Sequence, residues 1–337
     1  MTTIVSYNIL AGGYNVRDNH NTRRTEQLAT IIRSANPDIV GLVEANHPRM
    51  QQEPQVVEEL ADKLGMQLIM GAPISHASGY RLALLTRLPV IRTQTHPRPG
   101  LQRPLLEVCV EETNGQQFTV FVTHLSASFN KGRGGGGIRM REVQEILKVL
   151  APVRAQGIPH ILMGDFNSLA PGDDFTASAL VRYVIGVDNE KKEKSDYDGH
   201  PYLNGVVPPK LRFLNPILRI IPNNPLLSAL FNSAASLYVP RGNIRLLLEA
   251  GYVDCYRHIH PKARGFTCPA ASPAGRIDFM FASPEMAEHL ETCYVLTDGE
   301  GLPGSAASDH LALGGEFGLG IAPVAVKAGR VKNAIRL

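Results

Sequence analysis

Ile158-Pro159-His160-Ile161-Leu162-Met163-Gly164-Asp165-Phe166-Asn167-Ser168 is an apolar run that ends in polar residues. A short continuous apolar run predicts a buried strand over residues 158–166, with Asp165, Asn167 and Ser168 presented at its end. Outward from it, residues 2–10 are β-branched-rich and alternate, residues 23–34 carry helical spacing through Leu28, Ile31 and Ile32, and residues 38–43 are again strand-like. That is a β-α-β opening. A predicted helix at 55–64 precedes five strands with no helix between them, at 67–70, 82–86, 90–95, 105–111 and 118–125, which indicates an antiparallel or mixed sheet. Helices at 140–150 and 244–250 and strands at 277–282 and 311–317 complete the pattern, so the expected class is α/β, with two mixed sheets and helical outer layers.

Length and charge narrow the function. The 337 residues suffice for one large domain or two nominal ones, and 19% charged against 44% hydrophobic residues excludes a disordered chain. A net charge of +3 gives no bulk excess of positive charge, so any polyanion site must be local. Cys109, Cys255, Cys268 and Cys293 lie far apart without C-x-x-C spacing, which argues against a zinc site or a disulfide framework and for free thiols in a reducing compartment. Met1 sits just before the first predicted strand, leaving no room for a signal peptide, so the expected location is the cytoplasm. Residues 220–240 are uncharged until Arg241 but are broken by Pro222 and Pro225, so no integral membrane segment is expected.

Two segments depart from this rhythm. Residues 173–240 open with a charged patch and continue through many Pro and Asn residues, as an insertion would. Within it, Asn224 and Pro225 suit the cap and first turn of a helix carrying Leu226, Leu227, Leu230, Phe231, Ala234, Leu237 and Tyr238. Its apolar stripe predicts docking on the domain's own surface, with a lid or a membrane-surface contact as alternatives. The tail, 318–337, holds Lys327, Arg330, Lys332 and Arg336 without an acid and reads as a frayed basic end.

Polar groups also stand at strand ends in Ser6-Tyr7-Asn8, Val43-Glu44-Ala45-Asn46, Thr123-His124-Leu125 and Ser308-Asp309-His310, while Asp278 lies inside the apolar run Ile277 to Phe281. A lone buried carboxylate is costly unless paired, and His310 is the candidate partner for Asp278. Each stretch alone admits a structural reading as a cap, a turn or a satisfied histidine. The ordered set of Asn, Glu, His, Gly-Asp-x-Asn, strand Asp and Ser-Asp-His resembles the endonuclease/exonuclease/phosphatase superfamily, which includes deoxyribonuclease I, abasic-site endonucleases, inositol polyphosphate 5-phosphatases, neutral sphingomyelinases and poly(A) deadenylases. The likeness runs over about 2–317, with Gly164-Asp165-Phe166-Asn167 and Ser308-Asp309-His310 its most specific parts.

The resemblance implies a four-layer, deoxyribonuclease I-like two-sheet sandwich as a single domain over 1–317, with its site at one edge. It also implies a metal-dependent phosphoester hydrolase. Glu44 would ligate the ion with Asn8 and Asp309 nearby, Asp165 would orient or deprotonate the attacking water, and Asn167 would hold that water or the phosphate. His310, oriented by Asp278, would face the scissile phosphate, and His124 would bind a non-bridging oxygen or assist the leaving group. An oxygen-rich donor set favours Mg²⁺ or Mn²⁺ over zinc. Nucleic acid is the expected substrate, with a phospholipid or small phosphoester as the alternative and a silent binding domain as a third reading; all eight motif residues are present, and no obligate protein partner is expected. Arg81, Tyr80 and Arg139 are candidate substrate contacts, as is the glycine run between Lys131 and Gly137. The absence of Trp removes the tryptophan-bearing loops of abasic-site endonucleases and 5-phosphatases.

Overall fold

The computed structural model describes residues 1–15, 22–48, 50, 55–72, 79–131, 133–190, 203–207 and 209–319. Residues 191–194 of the charged patch, Gly132 and residues 320–337 of the basic tail lie outside the described residues, whereas Leu319 at the start of that tail is buried in the core. In chain order the two main sheets use β1 (Thr2–Asn8), β2 (Ile39–Val43), β3 (Gln67–Met70), β4 (Ala83–Thr86), β5 (Val90–His96), β6 (Leu105–Glu111), β7 (Gln117–His124), β8 (His160–Asp165), β9 (Val253–Asp254), β10 (Asp278–Ala282), β11 (Leu290–Leu296) and β12 (Ala312–Phe317). The first sheet has the order β11-β12-β1-β2-β4-β3 and the second β9-β10-β8-β7-β6-β5. Both are mixed: β1–β2 and β7–β8 pair parallel, and the other neighbours pair antiparallel.

Three apolar layers hold this together. Ile4, Ile39, Leu84, Val120, Ile161, Met163 and Leu313 come from both sheets and fill the space between them. Outside the first sheet, α1 (Thr25–Ser34) and α2 (Val56–Leu64) bury Leu28, Ile31, Ile32, Val57 and Leu60. Outside the second, α3 (Gly136–Ala155) contributes Val143, Ile146 and Leu150 against Phe121, Leu162 and Phe281. β8 is buried at every position, as its unbroken apolar run requires of a strand covered on both faces.

Between β8 and β9 the described residues form helices and turns and no strand. They include α4 (Ala177–Glu190), α5 (Asn215–Ile220) and α6 (Pro225–Tyr238), followed by α7 (Gly242–Glu249), which packs on α3. The predicted cap of α6 is present, with Asn224 Oδ1 accepting from Leu227 N at 3.1 Å. Its orientation corrects the expectation of a docked apolar face: no residue of α6 is buried, and Leu226, Leu230 and Leu237 are 70%, 62% and 81% exposed. The inward face, packed on α4, mixes half-buried Phe231 and Ala235 with polar groups, Asn232 Oδ1 accepting from Ser178 N and Ser228 Oγ donating to Ile221 O.

Candidate active site

Strand register brings the predicted residues to one edge. In the second sheet Asp165 at the end of β8 pairs with His124 at the end of β7 and with Asp278 at the start of β10, so three of the predicted side chains stand on three adjacent strands. In the first sheet Asn8 ends β1 beside Val43, which puts Glu44 one residue past the parallel pair, while Asp309 and His310 lie one residue short of β12, before Leu311. The sheets meet here directly, because Asn8 Nδ2 donates to Asp165 Oδ2 at 3.2 Å.

Local backbone geometry explains the spacing of the motifs. Gly164 has φ +138°, and a Cβ there would lie 1.9 Å from Thr123 O, so glycine alone permits Asp165 to follow at this depth. Asn167 adopts φ 47°, which returns its backbone N–H to Asp165 Oδ1 at 2.8 Å while its Nδ2 donates to Leu125 O at 3.0 Å. Glu44 also has positive φ, 56°, a costly conformation for a residue with a Cβ, and its Oε2 accepts from Ala11 N at 2.8 Å.

Asp165 is the hub. Its Oδ2 lies 3.6 Å from His124 Nε2 and 3.9 Å from His310 Nε2, while His310 Nδ1 donates to Asp278 Oδ2 at 2.8 Å. Thr267 braces the last pair: its Oγ1 accepts from Asp278 N, and its carbonyl accepts from Leu311 N. Asp165, Asp278 and His310 also place ligand atoms within 4.8 Å of one another, close enough to hold one metal ion.

Burial and crowding of like charge set the electrostatics. Burial, and then the neighbouring Asp278, push Asp165 up to about 7, against the opposing pull of His310 and the Asn167 N–H. Burial raises Glu44 and Asp309 as well. The histidines diverge: burial, Arg103 and His310 hold His124 well below its ordinary value, whereas Asp278, Cys268 and Asp309 overcome burial and carry His310 well above it. His124 is therefore neutral and His310 cationic near neutral pH, and His124 Nδ1 is buried with no hydrogen-bond partner among the described residues.

The candidate substrate contacts fare differently. Arg139 is buried, donating Nε to Ser168 Oγ at 2.7 Å, Nη1 to Ser126 O at 2.9 Å and Nη2 to Gly134 O, so it braces the loops after β7 and β8. Arg81 is half-buried, with Nε and Nη2 on Gly71 O, and Tyr80 beside it is half-buried too. Sequence reasoning missed Arg24, whose guanidinium donates to Ile9 O, Leu10 O, Tyr14 O and Ala307 O and so ties the loop before the Ser-Asp-His stretch to that after β1. It also missed Arg276, which is fully buried between Asp254 and Asp173 two residues before Asp278. An arginine's type alone predicts exposure, and only the arrival of distant carbonyls and carboxylates reverses that.

Two six-stranded mixed sheets packed face to face between helices, with a buried carboxylate and histidine cluster at their common edge, define a sandwich of the deoxyribonuclease I type. The chain belongs to the Endonuclease/Exonuclease/phosphatase family, whose model matches residues 5–310. Solved structures share the fold at low identity. An AP endonuclease from Archaeoglobus fulgidus is 15% identical with a TM-score of 0.56, covering 94% of this chain and 99% of its own. A 3′ phosphatase from Neisseria bound to a product DNA hairpin is 16% identical with a TM-score of 0.57, covering 94% and 99%. A 3′-5′ exonuclease from Neisseria meningitidis is 18% identical with a TM-score of 0.56, covering 94% and 99%. No curated protein matches the chain by sequence.

Proposed function

We propose that this chain is a divalent-metal-dependent phosphoester hydrolase that cleaves nucleic-acid phosphodiesters by in-line attack of water. The carrying observation is the convergence of Asn8, His124 and His310 on Asp165 Oδ2, within 3.2 to 3.9 Å. With its proton affinity raised toward neutrality by burial, Asp165 is matched to take a proton from water at physiological pH. Asn8 and the Asn167 N–H hold the two carboxylate oxygens, so the base is fixed before substrate arrives. His310, kept cationic and oriented by Asp278, supplies positive charge to a phosphoryl oxygen as charge develops there. Neutral His124 offers Nε2 to a second oxygen or to the leaving group.

The site's charges fit a divalent cation. Glu44, Asp165, Asp278 and Asp309 are all buried at this edge, and burial raises the proton affinity of Glu44, Asp165 and Asp309, a cost that a bound cation would offset. Glu44, Asn8 and Asp309 would hold Mg²⁺ or Mn²⁺, an oxygen-rich set that such hard cations prefer. The ion would neutralise charge on the phosphoryl group.

Nucleic acid as substrate is supported by the solved relatives, one of which is bound to a DNA hairpin. A lipid phosphoester is the second reading, favoured by the outward leucines of α6. The test is cleavage of labelled single- and double-stranded DNA and RNA with Mg²⁺ or with EDTA. Cutting that needs the ion and disappears in Asp165→Asn supports the proposal. Intact polymers, with phosphate or head group released from phospholipid instead, move the assignment to the second reading.

A further inference from the structure

We infer that α5, α6 and the basic loop leading into α3 form a docking surface for an anionic phospholipid bilayer. The surface begins with an inversion of normal helix burial. On α6 the leucines at 226, 230 and 237 recur on one stripe and face out, while Ser228 and Asn232 point in and make internal hydrogen bonds. The preceding segment repeats the pattern, with Phe213, Ile217 and Ile220 exposed by 73%, 55% and 57% at helical spacing. A single exposed leucine needs no explanation, but two consecutive segments with outward apolar side chains do.

Charge identifies the partner. Residues 203–248 contain no Asp or Glu and include Lys210, Arg212, Arg219, Arg241 and Arg245, of which Arg219 is paired with Asp188 on α4 and Arg241 donates inward to Ala170 O. The fold adds cations that sequence order does not place there: Arg133 donates to Leu237 O and Tyr238 O and lies 5.7 Å over the Tyr238 ring, at the exposed end of α6. Beside it is a recess of ≈ 260 Å³ with an almost wholly apolar wall, formed by Gly135, Gly137, Ile138 and the side chains of Lys131, Arg133 and Arg141. An apolar stripe bordered by tyrosine, with Lys131, Arg133 and Arg141 beside it, matches the cross-section of a membrane interface, where acyl chains lie below anionic head groups. No helix among the described residues is long and apolar enough to cross a membrane, so the contact is interfacial. The outward leucines and isoleucines lie on helices that contribute none of the residues gathered at Asp165, and only the basic loop, which follows His124 at the end of β7, adjoins the site, so the inference does not rest on the proposed reaction.

The test is sedimentation of the full chain with vesicles of pure phosphatidylcholine or of phosphatidylcholine containing about one-third phosphatidylglycerol. Binding is expected to the anionic vesicles and to be weakened by salt. A Leu226→Ser, Leu230→Ser, Leu237→Ser variant should lose about tenfold or more of that binding while keeping the wild-type circular dichroism. Arg133→Gln with Arg141→Gln should remove the preference for anionic lipid. Failure of the wild-type chain to bind, or equal binding by the triple-serine variant, overturns the inference. A chain that ignores vesicles but self-associates through these leucines by gel filtration assigns the face to a second copy, and one that binds only when ended at Leu319 assigns it to its own tail; either result also overturns it.

Discussion

Asp165→Asn should stabilise the metal-free protein at alkaline pH while abolishing its chemistry. In the folded chain Asp165 gives up its proton at about 7 instead of the ordinary 3.8, because burial and Asp278 oppose its charge. The folded state thus keeps a proton that the unfolded chain has lost, and stability falls as pH rises from about 4 to about 7 before levelling off. Keeping Asp165 ionised in the fold therefore costs at most roughly 4 kcal/mol. The amide removes this cost but offers one acceptor where the carboxylate accepts from both Asn167 N and Asn8 Nδ2, a loss of about 1 to 2 kcal/mol. The net gain is about 2 to 3 kcal/mol at pH of about 8, or several degrees in Tm for a chain of this size. In EDTA at pH of about 4 the gain should vanish and the variant should be equal to or less stable than wild type. Thermal melts at both values decide the matter: a variant that melts below wild type at the alkaline value would refute the argument that ionised Asp165 is a destabilising buried charge. Added Mg²⁺ should raise the wild-type Tm more at the alkaline value than at the acid one.

Other perturbations probe the framework. Asp278→Asn should move the alkaline limb of the rate profile to lower pH, since His310 loses the carboxylate that keeps it cationic, and cut kcat by about 10² to 10⁴; an unmoved limb in a pH–rate series contradicts the role of the pair. Gly164→Ala should destabilise by about 3 kcal/mol or more, read in urea unfolding, because its Cβ would meet Thr123 O at 1.9 Å. Arg139→Ala should cost about 3 kcal/mol by leaving Ser126 O and Gly134 O without their buried donor, and Lys should not rescue it because a point charge cannot reach three divergent acceptors. Wild-type stability in Arg139→Lys would return Arg139 to the list of substrate contacts.

The central strands were legible because burial on both faces leaves an unmistakable apolar run, and β8 was expected at 158–166 and spans His160–Asp165. The edge strand β11 is missed although Thr292, Tyr294 and Val295 are strand formers: Leu290–Leu296 is buried only at Cys293 and Leu296, so neither a continuous apolar run nor a clean alternation marks it. Gly134 to Gly137 reads as a loop, yet α3 begins at Gly136, where Pro240 packs so closely that a Cβ would lie 2.7 Å from it. That contact depends on a residue a hundred positions away. The candidate cluster is visible as polar residues at the ends of apolar strands, and register brings them together. The bracing arginines and the direction faced by α6 were hidden, since helical spacing locates a stripe without saying which side meets the core.

The most direct test of the central claim needs no knowledge of the natural substrate. Hydrolysis of bis(p-nitrophenyl) phosphate by the purified chain should appear with Mg²⁺ or Mn²⁺, stop on adding EDTA, return on restoring the ion, and be absent in Asp165→Asn that retains its fold. Undiminished hydrolysis in EDTA, or in the folded Asp165→Asn variant, would contradict the account.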